Sequence, residues 1–354
     1  MAHTTTFRNS TQDSPKIMVC LCHGFQGSHN DFNRLTASIV SAFTNADLSV
    51  LIISPVSNEG FPILHPTRQG VLPCAKRARQ EILQVLNTHE DASHLDSLVM
   101  LGHSFGGVYA RAVIKMLVDD DVIPTRLRPL SFISVASPHL GIRWRPSVLT
   151  SIFQYGAGVV AGITGTDLLL ENNKQGVSTL VTIAEGKYLD ALALFGERTC
   201  YGNISGDTQV PLCTATLRTR NPYHGKVYAA PNPTKYPSIV QLVDESGGES
   251  GDESGGGRGS SVKREEDVRI PFESNALGAR IRVIHENLSS LSWTKVDCLL
   301  GFNCHNEIIA NYFLFPKGVD VGIHFAETMV RCCSLRSRVE VLPVVGGGVT
   351  SSTL

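Results

Sequence analysis

The sequence predicts an α/β fold: a mainly parallel sheet of about six strands, flanked by helices and carrying an apolar cap insertion. Short apolar runs alternate with amphipathic stretches from Lys16 to a last helical pattern at Gly318 to Cys333. The runs are continuously apolar, as in Val99-Met100-Leu101, which is the pattern of strands buried on both faces. Strands alternating with helices in this way build a parallel sheet covered on both sides.

Taken in order, Lys16 to Cys22 reads as the first strand and ends at His23-Gly24-Phe25-Gln26-Gly27. Asp31 to Phe43 reads as a helix that Ser28 or Asn30 can cap. Leu48 to Pro55 is a second strand, and Cys74 to His89 a helix. Leu98 to Leu101 is the third strand, followed by a helix to about Val118. Leu130 to Ala136 is the fourth, and Arg198 to Ser205 and Thr294 to Leu300 complete the set. Residues 142–196 break the rhythm. Val148 to Leu170 is apolar and Gly-rich, and Leu180 to Phe195 reads as one helix. The insertion is read as a cap over a site, with ordinary packing helices as the alternative for residues 180–195.

The chain has 354 residues, enough for one large α/β domain with insertions, placed here at residues 16–343. Residues 1–15, polar and rich in Thr and Ser, are expected to be a disordered N-terminal segment. The Gly-, Ser- and acid-rich stretch 244–267 is expected to be a disordered loop, and residues 344–354 a flexible tail. The formal net charge of −1 offers no electrostatic basis for binding nucleic acid. The nine cysteines are an odd number, and several lie inside strand-like runs, so they read as buried apolar residues in a reducing compartment. They lack paired C-x-x-C spacing, so no zinc site is expected, and no cofactor is implied. With no secretory apolar core and no run of about eighteen apolar residues, the expectation is a cytoplasmic protein without a transmembrane segment.

The chemistry is concentrated in Leu98 to Arg111, LVMLGHSFGGVYAR. An apolar run enters Gly102-His103-Ser104-Phe105-Gly106 and leaves through a helical pattern, the strand, sharp turn and helix of a G-x-S-x-G nucleophile elbow. The five-residue pattern alone is weak, because an ordinary Gly-rich turn with a capping serine can match it; the flanks give it context. Ser104 is therefore the candidate nucleophile. A serine hydroxyl needs a base and the base an orienting carboxylate, in the chain order Ser, acid, His. Asp207 follows the strand ending at Ser205; Asp119, Asp120 and Asp121 sit at a helix end, and Asp167 and Asp190 fall in the cap. The alternative for Asp207 is a turn aspartate bonding its own backbone. His305 lies on the loop after the last strand, whereas His324 falls inside the final helix and His224 and His285 precede that strand. The backbone N–H groups of Phe25 and Phe105 are the candidate oxyanion hole.

The motifs HGFQG, GHSFGGVYAR, ISVASPHLG, TGTDLLL, GDTQVP and WTKVD…CHNEII occur in this order. Together they resemble the DUF676 putative serine esterase (lipase-like) family of α/β-hydrolases, over most of residues 16–330. The resemblance implies an α/β-hydrolase fold and hydrolysis of lipid-like acyl esters, with Ser104 as nucleophile and Asp207 and His305 as its partners. The insert near 244–267 departs from the family's compact pattern. The expected function is thus that of a serine lipase or esterase working through an acyl-enzyme on Ser104. A catalytically silent α/β-hydrolase that binds lipid or protein is the alternative. The expected partner is a lipid or acyl-ester substrate, with transient membrane-surface contact through the cap.

Overall fold

The structure, a computed structural model, describes residues 1–9, 15–61, 64–142, 161–173, 176–243, 275–302, 304–312 and 316–339. Its strands are β1 (His3–Phe7), β2 (Ile17–Cys22), β3 (Val50–Ser54), β4 (Ser97–His103), β5 (Arg128–Val135), β6 (Glu197–Asn203), β7 (Tyr228–Ala229), β8 (Ile239–Leu242) and β9 (Thr294–Cys298). They form one sheet in the order β1-β3-β2-β4-β5-β6-β9-β8-β7. The six from β3 to β9 in that order run parallel. Antiparallel strands extend both edges, so among the described residues the sheet has nine strands where about six were expected.

One of the added strands corrects the N-terminal expectation. His3–Phe7 pairs antiparallel with β3, His3 opposite Ser54 and Phe7 opposite Val50. The segment HTTTF is polar but β-branched, and it suits an edge strand with much of its surface in water. Polarity alone misread it as disorder.

The helices are α1 (Asn33–Asn45), α2 (Val71–Thr88), α3 (Phe105–Asp119), α4 (Ile163–Leu168), α5 (Thr179–Thr182), α6 (Gly186–Ala193), α7 (Leu212–Thr216), α8 (Ala276–Ser289) and α9 (Val319–Val339). Side chains alternate across each strand, so the parallel core feeds two apolar layers. Val19, Leu21 and Ile133 meet Leu35, Phe43 and Phe325 of α1 and α9. Met18, Cys20 and Phe132 meet Ile82, Val113, Leu192 and Ile281 of α2, α3, α6 and α8. All nine cysteines are buried.

The single helix expected over Leu180 to Phe195 is two, α5 and α6. The chain is extended at Glu185 (φ −138°) and takes φ +51° at Gly186, which interrupts the helical path. Leu180, Ile183, Leu192 and Phe195 are buried in the core, so this stretch packs as ordinary helices. Of Val148 to Leu170, residues 148–160 lie outside the described residues, and the rest contains α4. The stretch 244–267 and the tail 344–354 also lie outside them.

What positions the site is the reversal of strand order at β2. That strand pairs with β3 on one side and β4 on the other, and Cys22 stands opposite Gly102. The loops leaving β2 and β4 therefore emerge side by side at the carboxyl edge of the sheet, where α/β proteins gather their functional loops.

Candidate active site

β4 ends at His103 and α3 begins at Phe105, leaving Ser104 alone to make the turn. It takes φ +55° and ψ −128°, a region costly for a residue with a side chain, about 1–3 kcal/mol. The surroundings hold it there. Its N–H donates to Val135 O at 2.8 Å, and its carbonyl accepts from Gly107 N at 3.1 Å. A Cβ on Gly106 would lie 2.0 Å from Cys22 O, so only glycine lets α3 settle this close to β2. The strain lifts the serine hydroxyl off the sheet edge.

Two further loops converge on that hydroxyl. His305 follows β9, and its Nε2 lies 2.8 Å from Ser104 Oγ. Its Nδ1 lies 2.9 Å from Asp207 Oδ2, on the loop after β6. With Nδ1–H donating to the carboxylate, Nε2 is free to accept the serine proton. Asp207 Oδ1 accepts from Gln209 N at 2.9 Å and Val210 N at 2.8 Å, so the carboxylate is held on both oxygens. Burial pushes the Asp207 carboxyl up; the facing His305 and the two amides more than offset it, and the net shift is downward. The Asp207 and His305 loops touch. Gly206 has φ +82°, and a Cβ there would lie 1.9 Å from Gly301 O. All three side chains are at most 9% exposed.

His103, inside the elbow motif, was not singled out from sequence. Its Nε2–H donates to His305 O at 2.9 Å, and the two rings lie 5.0 Å apart. Burial, joined by the nearby His305, lowers His103 to about 3, so it stays neutral and keeps a proton for that bond. Its only sequence signal is its place between Gly102 and Ser104.

The oxyanion candidates lie on the two adjacent loops. Phe105 is the first residue of α3, where an amide has no intrahelical acceptor. Phe25 lies on the loop after β2, whose Gly24 comes so close that a Cβ on it would be 3.0 Å from Ser104 Cβ. His23, at the start of that loop, is fully buried; its Nδ1 lies 3.0 Å from Gly24 O. Burial lowers its pKa.

The residues set aside from sequence lie elsewhere. His324 sits on α9, on the opposite face of the sheet from α3, with Nδ1 2.8 Å from Tyr201 Oη. Asp119 and Asp120 pair with Lys115 and Arg79. Asp167 accepts the Val71 N–H at 2.9 Å, capping α2. Among the described residues, no group of three or more His, Cys, Asp or Glu is disposed to hold a metal ion. Nor is any helix among them long and apolar enough to cross a membrane.

A parallel sheet with a strained serine between β4 and α3, an acid after β6 and a histidine after β9 defines the α/β-hydrolase class. The chain belongs to the family described as "Putative serine esterase (DUF676)", whose model matches residues 12–219. It is 28% identical over 214 residues to "Putative lipase ROG1" of Saccharomyces cerevisiae, covering 59% of this chain and 29% of that protein. It is also 28% identical over 204 residues to "Putative lipase YDL109C" of the same yeast, covering 56% of this chain and 30% of that protein. The chain thus spans under a third of the length of these curated relatives. A solved fungal esterase from Rhizomucor miehei aligns with a TM-score of 0.49 at 11% identity, covering 96% of this chain and 84% of that one.

Proposed function

We propose that the protein hydrolyses carboxylic esters of lipid-like substrates through an acyl-enzyme on Ser104. The observation that carries this reading is the unbroken relay from Ser104 Oγ to His305 Nε2 at 2.8 Å and from His305 Nδ1 to Asp207 at 2.9 Å. Membership in a family described as serine esterases supports it, and relatives named as lipases favour a lipid-like acyl group.

His305 Nε2 takes the serine proton as Oγ attacks the acyl carbonyl. The carbonyl π electrons move to oxygen, and the Phe25 and Phe105 N–H groups hold the resulting oxyanion. Asp207 fixes the imidazole tautomer and stabilises the imidazolium. As the tetrahedral intermediate collapses, the alcohol leaves with the proton from His305. Water then attacks the acyl-enzyme, again giving its proton to His305, and the acid and free serine are restored.

The test is a fluorophosphonate probe, which labels only an activated serine, combined with turnover of a p-nitrophenyl ester. Ser104→Ala is expected to abolish both while melting at nearly the wild-type temperature. A folded Ser104→Ala protein with undiminished turnover would sink the reading. A wild type that neither labels nor turns over esters would favour a catalytically silent binding module.

A further inference from the structure

The turn that carries Phe25 has a support that lies outside the serine, histidine and aspartate. Residues Gly24 to Gly27 form a tight turn closed by Gly27 N–H on Gly24 O at 3.2 Å. Within it Gln26 adopts φ +54°, a region that non-glycine residues keep only when neighbours hold them. The neighbour is Thr67, whose Oγ1 accepts the Gln26 N–H at 3.0 Å.

Thr67 is fully buried, in a short 3-10 turn spanning Pro66–Gln69. Its hydroxyl proton has its own destination, His65 Nδ1 at 2.7 Å. That nitrogen also accepts the Thr67 N–H at 3.4 Å, so it carries no proton, and the hydroxyl is left to accept from Gln26. The 3-10 turn is itself braced from α4. Thr164 donates its hydroxyl to Thr67 O and accepts the Gly70 N–H at 2.9 Å. Asp167, one turn on, takes the Val71 N–H. A continuous set of hydrogen bonds therefore runs from α4 through Thr67 to the peptide next to Phe25.

We propose that Thr67 is a positioning residue for the oxyanion hole, its hydroxyl fixing the Phe25–Gln26 peptide so that Phe25 N–H faces the carbonyl attacked by Ser104. The inference rests on the reading of Ser104 as an acyl-transfer nucleophile. It has a specific energetic signature. An oxyanion donor grips strongly only once charge develops on oxygen, so its misalignment lowers kcat and leaves ground-state binding nearly alone.

Thr67→Val removes the acceptor while keeping the side-chain shape. With p-nitrophenyl butyrate, kcat is expected to fall about 10-fold or more, with KM changed by less than about 2-fold. Affinity for a trifluoromethyl ketone, which forms a tetrahedral oxyanion on the serine, should fall in parallel with kcat/KM. Thr67→Ser restores the oxygen and should recover most of the loss. Should Thr67→Val fail to fold, Thr67→Ala makes the same deletion without adding a methyl group. Loss confined to KM, unchanged ketone affinity, or equal losses in Thr67→Val and Thr67→Ser would overturn the proposal. A wild type inert to fluorophosphonate brings down the reading of Ser104, and Thr67 with it. With an active wild type, these variants judge Thr67 alone.

Discussion

His103 donates its Nε2–H to the carbonyl oxygen of His305 at 2.9 Å, so the residue before Ser104 holds the loop that carries His305. Ser104 and His305 are thereby tied through neighbouring backbone as well as through their own hydrogen bond. Loss of this tie should let His305 drift from Ser104 while both side chains remain present. His103→Phe is expected to lower kcat about 10- to 100-fold, since misplacing a reacting group by about 1 Å can cost 100-fold. His103→Gln, which keeps a donor, should recover part of the loss. Equal kcat in wild type and His103→Phe would show that the loop is fixed by its other contacts.

Gly206 is where the loops carrying Asp207 and His305 touch. A methyl group there meets Gly301 O at 1.9 Å and sits on a backbone at φ +82°. Both faults act together, so Gly206→Ala should destabilise the fold by about 1–3 kcal/mol. It should also separate Asp207 from His305 and lower kcat more than it raises KM. Urea unfolding and ester kinetics measure the two effects. A variant with wild-type stability would mean that the loops part freely.

Legibility of the site followed from how local each signal is. Ser104 was plain because its strand, turn and helix are contiguous. Asp207 and His305 followed from chain order and from loops after strands, without any knowledge of distance. His103 and Thr67 were not legible. Thr67 acts on Gln26 across 41 residues of sequence, and only the reversal of strands at β2 and the packing of α4 bring them together. In the fold, the apolar parallel strands announced themselves. β1 did not, because an edge strand needs little apolar surface and its threonines read as polar loop.

Buried neutral histidines make stability depend on pH. His103 titrates at about 3 in the folded protein, and burial also lowers His23 and His139. An unfolded histidine titrates near 6.5. Above that value neither state binds the proton, and the stability is fully present. Below it the unfolded chain gains protons that the fold refuses, so stability falls as pH drops from about 6.5 toward 3. His103 alone contributes about 1 kcal/mol per pH unit in that window. The lowered Asp207 acts in the same direction, its contribution lost as pH falls through its folded pKa. Urea midpoints at pH 7.5 and 5.5 should therefore differ clearly in the wild type and less in His103→Gln. A flat profile would mean that these rings are protonated in the fold.

Large apolar side chains stand in water next to the segments that build the site. Phe302 is 79% exposed, three residues before His305. Leu64 is 83% exposed, directly before the His65–Thr67 turn that reaches Gln26. Ile163 on α4 is 58% exposed, and a Cβ on Gly70 would lie 2.8 Å from its Cγ2. Isolated exposed apolar residues are ordinary, so these three mark a lipid-surface contact only if interfacial turnover depends on them. Long-chain ester turnover is expected to rise when neutral phospholipid vesicles are added. Phe302→Ser with Leu64→Ser should blunt that rise while leaving p-nitrophenyl acetate turnover within about 2-fold, because both side chains stand mostly in water. Equal losses on short and long chains would mean that the substitutions disturb the His305 loop itself. An unchanged response to vesicles would remove the lipid surface as a partner of these side chains.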